Sequence, residues 1–188
     1  MRLALPEPLT DGRVTLRWMR VDDAPACAAA FRDDPDLGRL IGVERDPDET
    51  SIRERIAGQE ERAAEGRGMQ LAIADAESDA FWGSMILHSF DWHSRRAEIG
   101  FWLIPSVRGR GVGVAAVALA VSWAFAQLDL LRLEMTTTPE NPAVPALARR
   151  LGFTQEGVLR ARTIERGQRV DIIWFGLLRE EWPAGDAE

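Results

Sequence analysis

The chain has 188 residues, 46% hydrophobic and 28% charged, which is enough to bury one full core and leaves no room for a second domain. Its formal net charge of −7, with no basic run and no alternation of basic and aromatic residues, argues against a nucleic-acid surface and favours cationic or neutral partners. A single cysteine, Cys27, excludes an internal disulfide, and the opening "MRLALPEPLT" lacks the apolar length and cleavage site of a signal peptide, so a cytoplasmic protein is expected.

Val14, Leu16 and Trp18 alternate with Thr15, Arg17 and Met19, the period of a strand. Asp22 and Asp23 open an alanine-rich helix through Phe31, in which Cys27 reads as a small core residue rather than a nucleophile. Residues 33 to 49 look like a loop, and a second helix is predicted from Thr50 to Glu65, stopped by Gly66. Met69 to Ala74, Phe81 to Ser89 and Arg96 to Leu103 read as three consecutive strands, and their short connections make them antiparallel neighbours. An apolar helix runs from Val112 to about Leu128; its 15-residue apolar core, which includes Ser122, is too short to span a bilayer and reads as buried.

The strand "LRLEMTTT" follows, then a short helix with Asn141 as N-cap and Pro142 at its first position, ended at Gly152. Strands near Phe153 to Val158, Arg162 to Glu165 and Asp171 to Leu177 finish the domain, and "PAGDAE" is expected to fray. The sum is an α/β (α+β) fold with a mixed, mostly antiparallel sheet of about seven strands and about four helices, one domain over residues 1–182 with a disordered tail at 183–188.

The most informative stretch is "PSVRGRGVG", at the start of the long helix. Glycines at 109, 111 and 113 let the backbone bend and bring N–H groups close to a ligand, and a helix N-terminus with free N–H groups is an anion site. Arg108 and Arg110 add positive charge; the plainer reading is a glycine turn that starts a core helix. A P-loop is excluded, because Val114 and Ala115 stand where Lys and Ser or Thr belong. A dinucleotide loop would need a third glycine where Val114 stands, and although Glu134 lies at a suitable distance for a ribose contact, an antiparallel meander is the wrong context for it.

The pattern Arg108-x-x-Gly111-x-Gly113, with "AEIGFWLIP" before it and "TTPENPAVPALARRLGF" after it, resembles the GNAT N-acetyltransferase superfamily, in particular its RimJ/RimL-like branch. The resemblance covers about Leu9 to Trp182 and is strongest from Glu98 to Phe153. It implies an acetyl-CoA-dependent N-acetyltransferase. By resemblance, Arg108, Gly109, Arg110, Gly111, Val112 and Gly113 hold the pyrophosphate of coenzyme A. The backbone of Phe101, Trp102 and Leu103 runs beside its pantetheine arm, and Asn141 contacts that arm. No metal is implied.

An amine attacks only through its lone pair, yet a lysine-type amine has a pKa of about 10.4 and an α-amine about 8, so a base is needed. Glu98 is the catalytic candidate, as base or water holder, against a plain strand residue paired with Arg95 or Arg96. His88, in a strand near Glu98, is the understudy, and His93 sits in a turn. The resemblance also implies a serine three residues after Asn141 to protonate the leaving thiolate; Val144 stands there, and the chain has no tyrosine to substitute.

The loop with Asp33, Asp34, Asp36, Glu44, Asp46, Asp48 and Glu49, among Arg32, Arg39 and Arg45, reads either as an acidic lip that attracts an ammonium group or as a solvated face. Trp92 and Trp102 are candidates to wall the pocket. The expected acceptor is a protein N-terminus or a small-molecule amine, with no nucleic-acid or membrane partner and with a homodimer left open. The alternatives are an acyl-CoA-binding module without turnover and, more distantly, a nucleotide-binding oxidoreductase.

Overall fold

The computed structural model describes residues 2–43, 46–165 and 167–183. Glu44 and Arg45 of the acidic loop, Arg166, and residues 184–188 of the expected tail lie outside the described residues. The elements are β1 (Leu9–Thr10), β2 (Val14–Trp18), α1 (Ala24–Asp33), α2 (Leu37–Leu40), α3 (Glu49–Ala57), α4 (Gln59–Ala64), β3 (Gly68–Asp75), β4 (Phe81–Asp91), β5 (Arg96–Leu103), α5 (Val112–Gln127), β6 (Arg132–Thr137), α6 (Ala143–Arg150), β7 (Thr154–Glu165) and β8 (Gln168–Leu178).

All eight strands form one sheet in the order β1-β2-β3-β4-β5-β6-β8-β7. Every pairing is antiparallel except β5 with β6, which are joined through α5 as a crossover. The mixed α/β fold is as expected.

Strand alternation divides the core in two. On one face Val14, Leu16, Leu71, Ile73, Met85, Leu87, Ile99 and Leu133 pack under α5. This helix is apolar around most of its girth, and Ala116, Ala120 and Ala124, all fully buried, let it lie close to the sheet. On the other face Met19 and Ala72 meet α1, α2 and α3 through Cys27, Phe31, Leu37, Ile52 and Ile56. Because β2 is covered on both sides, its alternation marks two cores rather than a core and a solvent face.

Several boundaries differ from expectation for local reasons. The predicted second helix begins one residue early, because the Asp48 side chain caps it by accepting from the Ser51 N–H at 2.8 Å. It divides at Gly58 into α3 and α4. The expected loop at 33–49 contains the one-turn α2, anchored by the buried Leu37. Asn141 is not the N-cap of α6: the helix starts at Ala143, no side chain caps it, and the Asn141 N–H closes a turn onto Thr138 O. The two strands predicted at 153–158 and 162–165 are one strand, β7, interrupted by register shifts; Ala161, at φ 51°, sits in one of them.

One ion pair bridges the second core. Arg17 on β2 is 5% exposed and donates both terminal nitrogens to Asp23, at 2.8 and 2.9 Å, and its Nε to Asp79 at 2.7 Å. Asp23, 6% exposed, also accepts from the Arg20 N–H and so fixes the approach to α1. Removing one partner of a buried pair leaves an uncompensated charge. Asp23→Ala is therefore expected to cost about 3 kcal/mol and to lower Tm by about 6–12 °C. A thermal melt that moves by less than about 2 °C would show that Asp79 alone satisfies Arg17.

Candidate functional site

β5 is held along its length by β4, and β6 along its length by β8. Between them pairing extends only over Arg96↔Arg132, Ala97↔Leu133 and Glu98↔Glu134, after which both strands continue unpaired to Leu103 and Thr137. The sheet therefore opens as a wedge. Charge clamps its closed end: Glu134, 6% exposed, accepts from Arg96 at 2.9 Å and from Arg132 at 2.8 Å, and Arg132 reaches on to Glu156 at 2.7 Å. That hydrogen bond holds the Glu156 carboxyl below its ordinary range against the opposing effect of burial. Glu134, the acid that suggested a ribose contact, is thus the centre of a structural ion chain.

The wedge exposes backbone. The Ile104 N–H donates to Trp82 O at 2.8 Å, and Trp102 lies opposite Ser84. By antiparallel alternation Trp102 turns its own N–H and C=O toward β4, whereas Phe101 and Leu103 turn theirs into the wedge. The Leu103 carbonyl there accepts from Arg108 Nε at 2.8 Å. Of the three strand residues named for the cofactor arm, Phe101 and Leu103 offer backbone groups and Trp102 offers its ring, packed edge-on against Phe31 and Phe81.

A cavity of about 430 Å³ occupies the wedge. Glu98, Gly100 and Trp102 line it from one face of β5, and Ile99 and Phe101 from the other, so it passes through the sheet. Glu98 stands at the mouth, where its Oε1 accepts from Thr136 Oγ1 across the wedge. His88 lies directly across the β4–β5 ladder from Glu98, lines the same cavity and pairs its Nδ1 with Ser89 Oγ at 2.8 Å. His93 is in an exposed turn. Asn141, just before α6, and Val144, in its first turn, reach the cavity.

The glycine loop lies at the α5 side of the wedge. Gly109 and Gly111 have φ of +70° and +83°, which disfavours any side chain there, and no side chain caps α5 at Gly111. The first N–H groups of α5, at Val112, Gly113 and Val114, are consequently without helical partners. Gly113 packs closely: a Cβ would stand 3.2 Å from both Phe101 Cε2 and Leu147 Cδ1, so both side chains would have to give way. Arg110 is exposed, while Arg108 is engaged with Leu103 O and, at 2.5 Å, with Asp34. Neither the loop nor Leu103 lines the cavity; of the residues named in advance, Glu98, Phe101, Trp102 and Asn141 do.

The acidic loop is largely engaged in structure. Asp34 pairs with Arg108, Asp36 with Arg39, Glu49 with Arg53, and Asp48 caps α3. Trp92 stacks on Phe90, donates to Gly66 O and lies outside the cavity lining. Cys27 is 4% exposed, and burial pushes its thiol up to about 12, consistent with a core residue.

Sequence reasoning missed Arg55, Gln70, Thr136 and Thr137, all in the cavity lining. Thr137 Oγ1 is buried without a hydrogen-bond partner. Its only sequence signal was the run of three threonines, and Arg55 had none. Among the described residues no group of three or more His, Cys, Asp and Glu is arranged to hold a metal ion, and no helix is long and apolar enough to cross a membrane.

Comparison with known proteins agrees with this architecture. The acetyltransferase (GNAT) domain family matches residues 13–154. The uncharacterized N-acetyltransferase p20 of Bacillus licheniformis is 30% identical over 176 residues, 94% of this chain and 98% of its own. The putative ribosomal N-acetyltransferase YdaF of Bacillus subtilis is 27% identical over 172 residues, 90% of this chain and 93% of its own. Among solved structures, Mycobacterium smegmatis RimJ in complex with CoA-disulfide superposes with a TM-score of 0.86 at 27% identity, covering 97% of this chain and 92% of that one. A sheet that opens between its parallel strands beside a glycine-led helix, matched over this much of its length, makes the chain a member of the GNAT family and an N-acetyltransferase.

Proposed function

We propose that the protein transfers an acetyl group from acetyl-CoA directly to the N-terminal amine of a protein in the cytoplasm. The observation that carries this reading is the cavity through the sheet, with an uncapped helix N-terminus on one side and Glu98 at its mouth on the other. The residues present fit the cofactor. The wedge offers the N–H groups of Phe101 and Leu103 to an amide-bearing arm, the buried Thr137 Oγ1 lacks a partner, and the turn at Gly109 to Gly113 offers backbone N–H groups to phosphate. When bound, the cofactor supplies an activated acetyl thioester. The name of YdaF, a putative ribosomal N-acetyltransferase matched over 90% of this chain, supports a ribosomal type of acceptor.

In this reading Glu98 accepts the amine proton, directly or through a water, while Thr136 fixes the orientation of its carboxylate. His88, one strand away, is the nearest second proton acceptor. Asn141 supplies a polar contact beside the wedge. Val144 puts an apolar group where the resemblance implies a serine, so no hydroxyl from that position protonates the leaving sulfur. A thiol of pKa about 8.5 departs readily as thiolate, and the reaction needs such help far less than alkoxide departure would.

Two measurements test the reading. Acetyl-CoA and CoA should raise Tm, as ligands of the native state do, and NADH should raise it much less. Gly111→Val should abolish the shift, since the turn at φ +83° resists a branched side chain. Equal stabilisation by NADH would count against the cofactor assignment. In steady-state assays with an N-terminal peptide, Glu98→Gln should lower kcat by about 10² at neutral pH and recover partly toward the amine's own pKa, with cofactor affinity unchanged. A near-normal rate at neutral pH would remove Glu98 from proton transfer.

A further inference from the structure

The cavity is polarised. Glu98 and Glu165 stand at its β5 and β7 walls, and Arg55 of α3 at the opposite wall over β3. The Arg55 guanidinium reaches Gln70 Oε1 at 3.4 Å, and among the described residues no carboxylate pairs with it. It is also crowded by like charge: Arg62 donates to the Arg55 carbonyl, and burial first, then Arg55 and Arg67, push the Arg62 guanidinium below its ordinary range. A cation that lines a substrate-sized cavity, with an arginine neighbour and no carboxylate paired to it among the described residues, is stabilised by an anion that arrives with the acceptor.

The sheet sets the distance from the proton acceptor. Gln70, Ile86 and Gly100 form one row across β3, β4 and β5, and Glu98 lies two residues along β5. Two strand spacings across and two residues along put the Cα atoms of Gln70 and Glu98 roughly 12 Å apart on one face of the sheet. A free α-amino acid, whose ammonium and carboxylate are only about 3 Å apart, does not reach both groups even with a hydrogen bond at each end. An extended peptide, at about 3.3–3.6 Å per residue, spans the gap with its N-terminal amine at Glu98 and a side-chain carboxylate at its second or third residue beside Arg55.

We infer that Arg55 is a specificity-determining residue that selects acceptor N-termini carrying Asp or Glu at the second or third position. The inference rests on the proposed transfer to protein N-termini. Arg55 is exposed and carries no fold-bridging ion pair, so its substitution changes selection rather than folding.

The test measures kcat/KM for four peptides that start with alanine, carrying Asp or Asn at position 2, or Asp or Asn at position 3. Free alanine and a polyamine serve as further acceptors. Wild type should prefer the better-placed Asp peptide to its Asn partner by about three- to tenfold, mainly through KM. Arg55→Gln should bring that ratio to about one, Arg55→Lys should retain most of it, and Arg55→Glu should reverse it in favour of the Asn peptide. Equal use of Asp and Asn peptides by wild type, or an Asp preference that survives in Arg55→Gln, overturns the inference and leaves N-terminal transfer standing. Acetylation of free alanine or polyamine but of no peptide overturns both the inference and the assigned acceptor.

Discussion

The structure depends on a pairing that stops. β5 and β6 are parallel for three register positions and then part, although each is fully engaged on its other side. Unpaired backbone in a sheet interior is costly unless a side chain, water or ligand satisfies it, so an opening of this kind must be held in place. The chain invests in the opening at both ends. The Arg96–Glu134–Arg132–Glu156 chain pins the closed end, and Arg108 ties the far end of β5 to the loop before α5. Gly176 belongs to the same device, because a Cβ there would stand 2.4 Å from an Arg132 nitrogen and displace the guanidinium from its partners.

The ion chain also explains why Glu98 and Glu134, adjacent in register on one face, differ in kind. Glu134 has arginines on both sides and is shut from solvent, which makes it a fixed counter-charge. Glu98 faces Glu134 at the last paired position before the strands part, half-buried, with a neutral hydroxyl as its hydrogen-bonding partner. A carboxylate committed to two guanidiniums is a poor proton acceptor, and one bound by a threonine keeps lone pairs for an incoming amine. Two glutamates on paired strands therefore do different work because the arginines reach only one of them.

The sequence made legible whatever is local or periodic. The three-strand meander, the apolar α5 and the glycine turns at 109 and 111 were visible because alternation, helix length and backbone conformation leave direct marks on residue type. Glu98 was legible through family resemblance, which carries its position in a motif but not its surroundings. Features created by tertiary placement were not legible. Nothing in α3 marks Arg55 as a cavity residue, since an arginine on a helix is ordinarily a solvated one, and its role depends on α3 lying over β3. The error at Asn141 has a similar origin: the Asn-Pro pair is a good start signal, but the turn onto Thr138 delays the helix and leaves the side chain beside the cavity.

The opening between β5 and β6 gives the site two differently built sides. α5 and its glycine turn cover one face, where the free helix N–H groups and the apolar contact of Gly113 with Phe101 favour a long ligand with an anionic end. α1, α2 and α3 cover the other face, where His88, Gln70 and Arg55 line the cavity. β5 and β6 part between the two sides, and Glu98 lines the cavity there. In the proposed reaction proximity follows from topology: an amine on the α3 side would meet a thioester on the α5 side beside Glu98 and the unpaired backbone N–H groups of β5. Orientation of this kind supplies a large part of a bimolecular barrier. It also allows relatives of this fold to differ in acceptor while keeping the cofactor side, since α1 to α3 can change without disturbing the turn that begins α5.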